Sequence, residues 1–275
     1  MANISAADVG KLRQMTGAGM MDCKKALVEA DGDFERAKEL IRERGLAIAN
    51  KRADREASEG AVLAKTTNNG TVGVIVALNC ETDFVAKNED FISLANTILD
   101  IAAKEQPADL EALKAINFNG KTVADIVTER SGITGEKMEI AFYDKISAPQ
   151  VSAYIHMGNR LATIVGLNKA VDPQVGMNIA MQIAAMNPAA VDQDSVPKDI
   201  IDKELEIGRE QARNEGKAEE LLDKIAQGKL QKFFKESTLL NQEFVQEGKI
   251  SVREYLQKQD KGLTVTEFKR YGLSN

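Results

Sequence analysis

The 275-residue chain has no Trp, one His, two Cys and few aromatics, which make up 5% of it. A single imidazole cannot supply a His-rich metal site. Cys23 and Cys80 are too far apart for a CxxC pair, so no metal and no cofactor is expected. Free thiols point to a reducing compartment. Positive charge is also in deficit: 36 Lys and Arg against 42 Asp and Glu leave a formal net charge of −6. That balance argues against a nucleic-acid binder, whose phosphate contacts need a Lys/Arg-rich face. No apolar run approaches the ~18 residues of a membrane span, and no apolar targeting segment opens the chain. The expected location is the cytoplasm, with no membrane partner.

What is present reads as α+β. Residues 1–45 carry three short apolar stripes at helical spacing. The first is Ile4, Val9, Leu12 and Met15, opened by Ser5 with Asp8 in a capping-box arrangement. Thr16-Gly17-Ala18-Gly19 breaks it. Cys23, Ala26, Leu27 and Ala30 form the second. Asp33 caps a third, with Phe34, Ala37, Leu40 and Ile41 inward and Gly45 placed just past its end. This three-helix module resembles a ubiquitin-associated-type domain. Residues 46–59 are charged and Ala-rich and read as a linker.

A duplicated core is expected after it, in two parts, 60–148 and 149–275. Ala61–Thr67 and Thr71–Asn79 read as a hairpin closed by Asn68-Asn69-Gly70. Val151–Met157 and Leu161–Asn168 read as another, closed by Gly158-Asn159-Arg160. Each hairpin is followed by a helical pattern, Asp90–Lys104 in one half and Gln174–Met186 in the other. Each half has one further strand-like run, Lys137–Ile146 and Leu263–Tyr271. The expected core is therefore two three-stranded antiparallel sheets with helices. A helical-hairpin insertion spans about 197–261, broken at Asn214-Glu215-Gly216, with Ser251 and Glu254 capping a last short helix.

One stretch does not fit a purely structural reading. The apolar run Val72–Leu78 leads into Asn79-Cys80-Glu81-Thr82-Asp83-Phe84-Val85-Ala86-Lys87, and the helical face after it begins only near Asp90. Local pattern alone favours Phe84 as a small core anchor and Asp83 as a helix cap. The other reading is a phenyl ring beside an acid, offered on a turn to prise apart a partner's packed site.

The stretch Thr82-Asp83-Phe84-Val85 resembles the signature of the bacterial elongation factor Ts family. So does Leu12-Arg13-Gln14-Met15-Thr16-Gly17-Ala18-Gly19-Met20-Met21-Asp22-Cys23-Lys24-Lys25-Ala26-Leu27, in the right order and at about the right distance. Ala77 departs from the family, which usually has a carboxylate there. The resemblance implies a guanine-nucleotide exchange factor that binds elongation factor Tu, disturbs its Mg²⁺ site and promotes GDP release until GTP rebinds. It implies that Phe84 inserts between partner side chains, that Asp83 holds the end of a partner helix, and that Thr82 and Val85 seat the turn. It also implies partner contacts at Arg13, Met20 and Met21, and at Tyr154 and His156 on the second hairpin. Met20 and Met21 suit a core equally well. Longer members continue past the last strand into a C-terminal helix. This chain ends at Gly272-Leu273-Ser274-Asn275, so that contact is expected to be missing or replaced by another segment, such as the insertion.

Two apparent nucleotide motifs are decoys. Gly120-Lys121-Thr122 lacks the first glycine of a phosphate loop, since Ala115 stands in its place, and Gly17-Ala18-Gly19 joins two helices. No direct nucleotide binding is expected. Nor is an enzyme: His156 has no base-and-nucleophile partner at a readable spacing. A Cys80 nucleophile has no visible base either. The remaining alternative is a ubiquitin-associated-type adaptor without exchange activity, which would leave the Thr82–Val85 turn idle.

Overall fold

The computed structural model describes residues 4–273, so Ser274 and Asn275 of the terminal stretch lie outside the described residues. Three helices come first: α1 (Ala6–Thr16), α2 (Met20–Glu29) and α3 (Phe34–Lys51). Ser5 and Asp8 form the expected capping box at α1, and Gly17 closes it in the left-handed conformation, φ 72°. Val9, Leu12, Cys23, Ala26, Leu27, Ala37, Leu40 and Ile41 bury one small core. Met15 departs from the first stripe and lies exposed. Gly45 does not end α3. The helix runs through it to Lys51, into the stretch read as a linker.

The chain continues as β1 (Glu59–Thr67), β2 (Val72–Cys80), the single turn α4 (Asp83–Ala86), and α5 (Glu89–Glu105). Next come α6 (Leu110–Ala115), a two-residue hairpin β3 (Asn117–Phe118) and β4 (Lys121–Thr122), α7 (Val123–Thr134) and β5 (Met138–Ser147). The Asn-Asn-Gly turn forms as expected: Asn68, Asn69 and Gly70 have φ of 52°, 55° and 82°. Strands order as β1-β2-β5, with β2 central and buried along its whole length. Ala77, where the family usually has a carboxylate, is one of those buried residues. Phe91, Ala95, Ile98 and Ala102 bury one face of α5.

The last stretch holds β6 (Gln150–Ile155), β7 (Leu161–Leu167), α8 (Pro173–Met186), α9 (Lys198–Asn214), α10 (Glu219–Ser237), α11 (Val252–Gln259) and β8 (Val265–Gly272). Its antiparallel sheet orders as β6-β7-β8, again with the hairpin's second strand central. Val165, Leu167, Ile179, Ile183, Phe244, Leu256 and Val265 form its core. The insertion is the expected helical hairpin. Gly208 of α9 lies against Ala226 of α10, and a Cβ on the glycine would meet Ala226 Cα at 3.0 Å. Leu221 faces solvent there. Ser251 and Glu254 form the capping box expected at α11.

Among the described residues two compact units result: residues 4–63, 76–144 and 273, and residues 64–75 with 145–272. The tip of the first hairpin therefore belongs to the second unit. There Thr71 O accepts the Ala148 N–H at 3.0 Å, and a Cβ on Gly73 would meet Val151 Cγ1 at 2.5 Å. Among the described residues, no helix is long and apolar enough to cross a membrane.

Candidate functional site

The segment after β2 is a one-turn helix. Thr82 is its N-cap: its Oγ1 accepts the Val85 N–H at 3.4 Å. Asp83 is thus the first helical residue rather than the cap. Asn88 then caps α5 through the Asp90 N–H at 2.8 Å. A capped turn between strand and helix points the Phe84 ring outward, and Phe84 is 84% exposed. The core-anchor reading fails here because the ring lies in solvent, while the buried face beside it is supplied by α5.

The base of the turn is held by carboxylates. Glu81 accepts the Lys137 N–H at 2.6 Å and Arg52 Nη1 at 2.9 and 3.0 Å. The backbone N–H of Lys137, and then Arg52, hold the Glu81 carboxyl below its usual range. Glu136 Oε2 accepts the Thr82 N–H at 3.1 Å, and its Oε1 accepts the Thr82 hydroxyl at 2.7 Å. Asp83 pairs with Lys87 one helical turn on, at 2.6 Å, which lowers the Asp83 pKa. Cys80 lies beneath the turn, wholly buried, and its thiol donates to Thr82 O at 3.3 Å. Burial first, then the Glu136 charge, push its pKa up to about 12. At neutral pH it is a protonated thiol and no nucleophile.

The other expected contact residues are also at the surface of their elements. Arg13 is exposed in the last turn of α1. Met20 and Met21, 45% and 63% exposed, open α2 and contribute nothing to the small core. Tyr154 is half-buried against the core of the second unit, and its hydroxyl lies 2.9 Å from Nδ1 of the exposed His156. Met157, 90% exposed beside His156, is not among the residues expected from sequence. An apolar residue at a hairpin tip is the signal that points to it. Glu136 is also absent from those expectations, since it meets Thr82 from 54 positions away.

Lys121 and Thr122 have partners within the chain. Lys121 Nζ pairs with Glu129 at 2.6 Å, and Thr122 with Asp125 forms the capping box of α7. Among the described residues, no three His, Cys, Asp or Glu side chains are grouped to hold a metal ion.

Comparison with known proteins places the whole chain. A family model described as elongation factor TS matches residues 81–275. An elongation factor Ts of Christiangramia forsetii is 51% identical over 275 residues, covering 99% of this chain and all of that protein. One of Porphyromonas gingivalis is 52% identical, covering 98% of each chain. One of Bacteroides thetaiotaomicron is 42% identical over 327 aligned positions, again covering 98% of each.

Proposed function

The chain belongs to the elongation factor Ts family, and we propose that Phe84 is the group with which it forces GDP out of elongation factor Tu. Its function is guanine-nucleotide exchange on that GTPase, achieved by binding and not by covalent chemistry. An exchange factor must bind the nucleotide-free partner better than the GDP-bound one, and the coupling is reciprocal, so incoming GTP expels the factor. Phe84 enters between partner side chains and shifts a helix near the Mg²⁺ site. Asp83 exchanges Lys87 for the N–H groups at that helix's end. Thr82 and Val85 seat the turn.

The exposure of Phe84, on a turn whose base is tied by Glu81 and Glu136, is the observation that carries this reading. A large aromatic side chain held in water on a tied turn suits the part of an interface anchor. The experiment is stopped-flow release of fluorescent GDP from bacterial elongation factor Tu with and without this protein. No acceleration by the chain refutes the function. Normal acceleration by Phe84→Ala refutes the role of the ring.

The same reading extends to the rest of the chain. The three N-terminal helices, with their own core, act as a ubiquitin-associated-like module that docks through Arg13, Met20 and Met21. The two hairpin-plus-strand sheets are copies of one ancestral unit, spanning 60–148 and 149–275. Tyr154 and His156 hold a second region of the partner. The chain works in the cytoplasm, without binding nucleotide itself.

A further inference from the structure

We propose that Glu136 is a positioning residue for exchange: it fixes Thr82 at two points and thereby aims the Phe84 ring. The inference rests on the reading of Phe84 given above. Its basis is a crossing of two short segments. Glu81 joins the backbone of Lys137, while Glu136 joins the backbone and hydroxyl of Thr82. Adjacent residues of the turn are thus each tied to adjacent residues of the α7–β5 junction. That junction is itself ordered. Gly135 closes α7 at φ 74°, and Ser131 Oγ donates to the Glu136 carbonyl at 2.5 Å.

The chemistry calls for a carboxylate. Two donors, the Thr82 N–H and O–H, converge on one side chain, and only a carboxylate offers two acceptor oxygens there. By accepting the hydrogen bond of the Thr82 hydroxyl, Glu136 leaves the lone pairs of Thr82 Oγ1 free for the Val85 N–H, the cap bond of α4. A helix of 4 residues has no stability of its own. Phe84 has too little buried surface to orient itself. The ring's direction is therefore inherited from Thr82, and through it from Glu136. Without that frame the ring samples several directions, and ordering it falls on the displacement step.

The test is a double-mutant cycle, read as the maximal rate of mant-GDP release from bacterial elongation factor Tu above spontaneous release. Glu136→Ala is expected to lower that rate about tenfold while the half-saturating concentration moves less than about twofold; Glu136→Gln, keeping one acceptor, should fall between. In a Phe84→Ala background either change should cost less than about twofold, because no ring remains to aim. His156→Ala, outside the turn, should lower the release rate at sub-saturating concentration by the same factor in both backgrounds, which shows that the assay still has range. If Glu136→Ala does not fold, the near-isosteric Glu136→Gln carries the cycle. Full additivity with Phe84→Ala, or an unchanged rate in the Glu136 variants, overturns the proposal. Failure of the unmodified chain to speed release, or a normal rate for Phe84→Ala, instead sinks the exchange or ring reading and takes this proposal with it.

Discussion

Gly45 of α3 and Gly132 of α7 touch backbone to backbone, and the contact is asymmetric. A Cβ on Gly132 would fall inside the Gly45 backbone, whereas a Cβ on Gly45 would meet Gly132 Cα at 3.5 Å, an ordinary distance. Gly132→Ala should therefore destabilise the protein by about 1–3 kcal/mol through overpacking. Gly45→Ala should be neutral or stabilise by up to about 1 kcal/mol, because it removes a helix-interior glycine. Urea denaturation of both variants checks the asymmetry. Equal losses would mean that the helices do not pack in this way.

That contact also explains why the sequence reads α3 as shorter than it is. Glycine past an apolar stripe is the usual stop signal, and only the partner at Gly132, far along the chain, shows that this one serves close packing. The hairpins were legible because Asn68-Asn69-Gly70 specifies its own turn, and α1 and α11 because their capping boxes are local. α7 was not legible. Val123-Ala124-Asp125-Ile126-Val127 is rich in β-branched residues, and Gly132 interrupts the remainder of the helix. Its capping box and its packing on α3 override that propensity. The motif resemblance points to an outward Phe84 ring, but the Glu136 tie beneath it depends on tertiary structure.

Cys80 should be a stability sensor at alkaline pH and dispensable for exchange. Its folded pKa of about 12 lies above the ordinary 9.0. The folded state therefore holds the proton more tightly, and stability present below pH 9 is lost as pH rises toward 12. One such group gives a slope of at most about 1.4 kcal/mol per pH unit. Tyr143, raised from 10.0 to about 12 mainly by burial, adds to the loss only above its ordinary value. Urea midpoints at pH 8, 9 and 10 should fall in the unmodified protein and fall less in Cys80→Ala. Iodoacetamide at neutral pH should label Cys80 slowly until the protein is unfolded. Rapid labelling with loss of all exchange would revive a nucleophilic role.

Tyr154→Phe tests the second hairpin. The ring packs on the core of its unit while the hydroxyl meets His156 Nδ1 at 2.9 Å. Removing only the hydroxyl keeps the packing and frees the imidazole. Thermal stability should change by less than about 0.5 kcal/mol, and affinity for elongation factor Tu should weaken about fivefold, the worth of one hydrogen bond. Calorimetric titration of the partner reads it. Unchanged affinity in both Tyr154→Phe and His156→Ala would remove this hairpin from the interface.

Phe84→Ala should separate function from folding more sharply than any other change in the chain. The ring is 84% exposed, so its loss should alter unfolding stability by no more than about 0.5 kcal/mol. In the complex the same ring becomes buried, and truncating a buried interface aromatic costs about 2–4 kcal/mol. If that cost falls on displacement, GDP release slows by roughly 30-fold or more, since each 1.4 kcal/mol is tenfold. Asp83→Ala should act in the same direction and more weakly. Its pair with Lys87 is solvent-exposed and screened, while a helix-end contact in the partner is worth about 1 kcal/mol. Both residues press on one partner element, so the double variant should lose less than the two single losses combined. Release kinetics run beside urea denaturation decide the matter. A Phe84→Ala protein that is several kcal/mol less stable, yet exchanges normally in its folded fraction, would make the ring a core anchor and end this account of the turn.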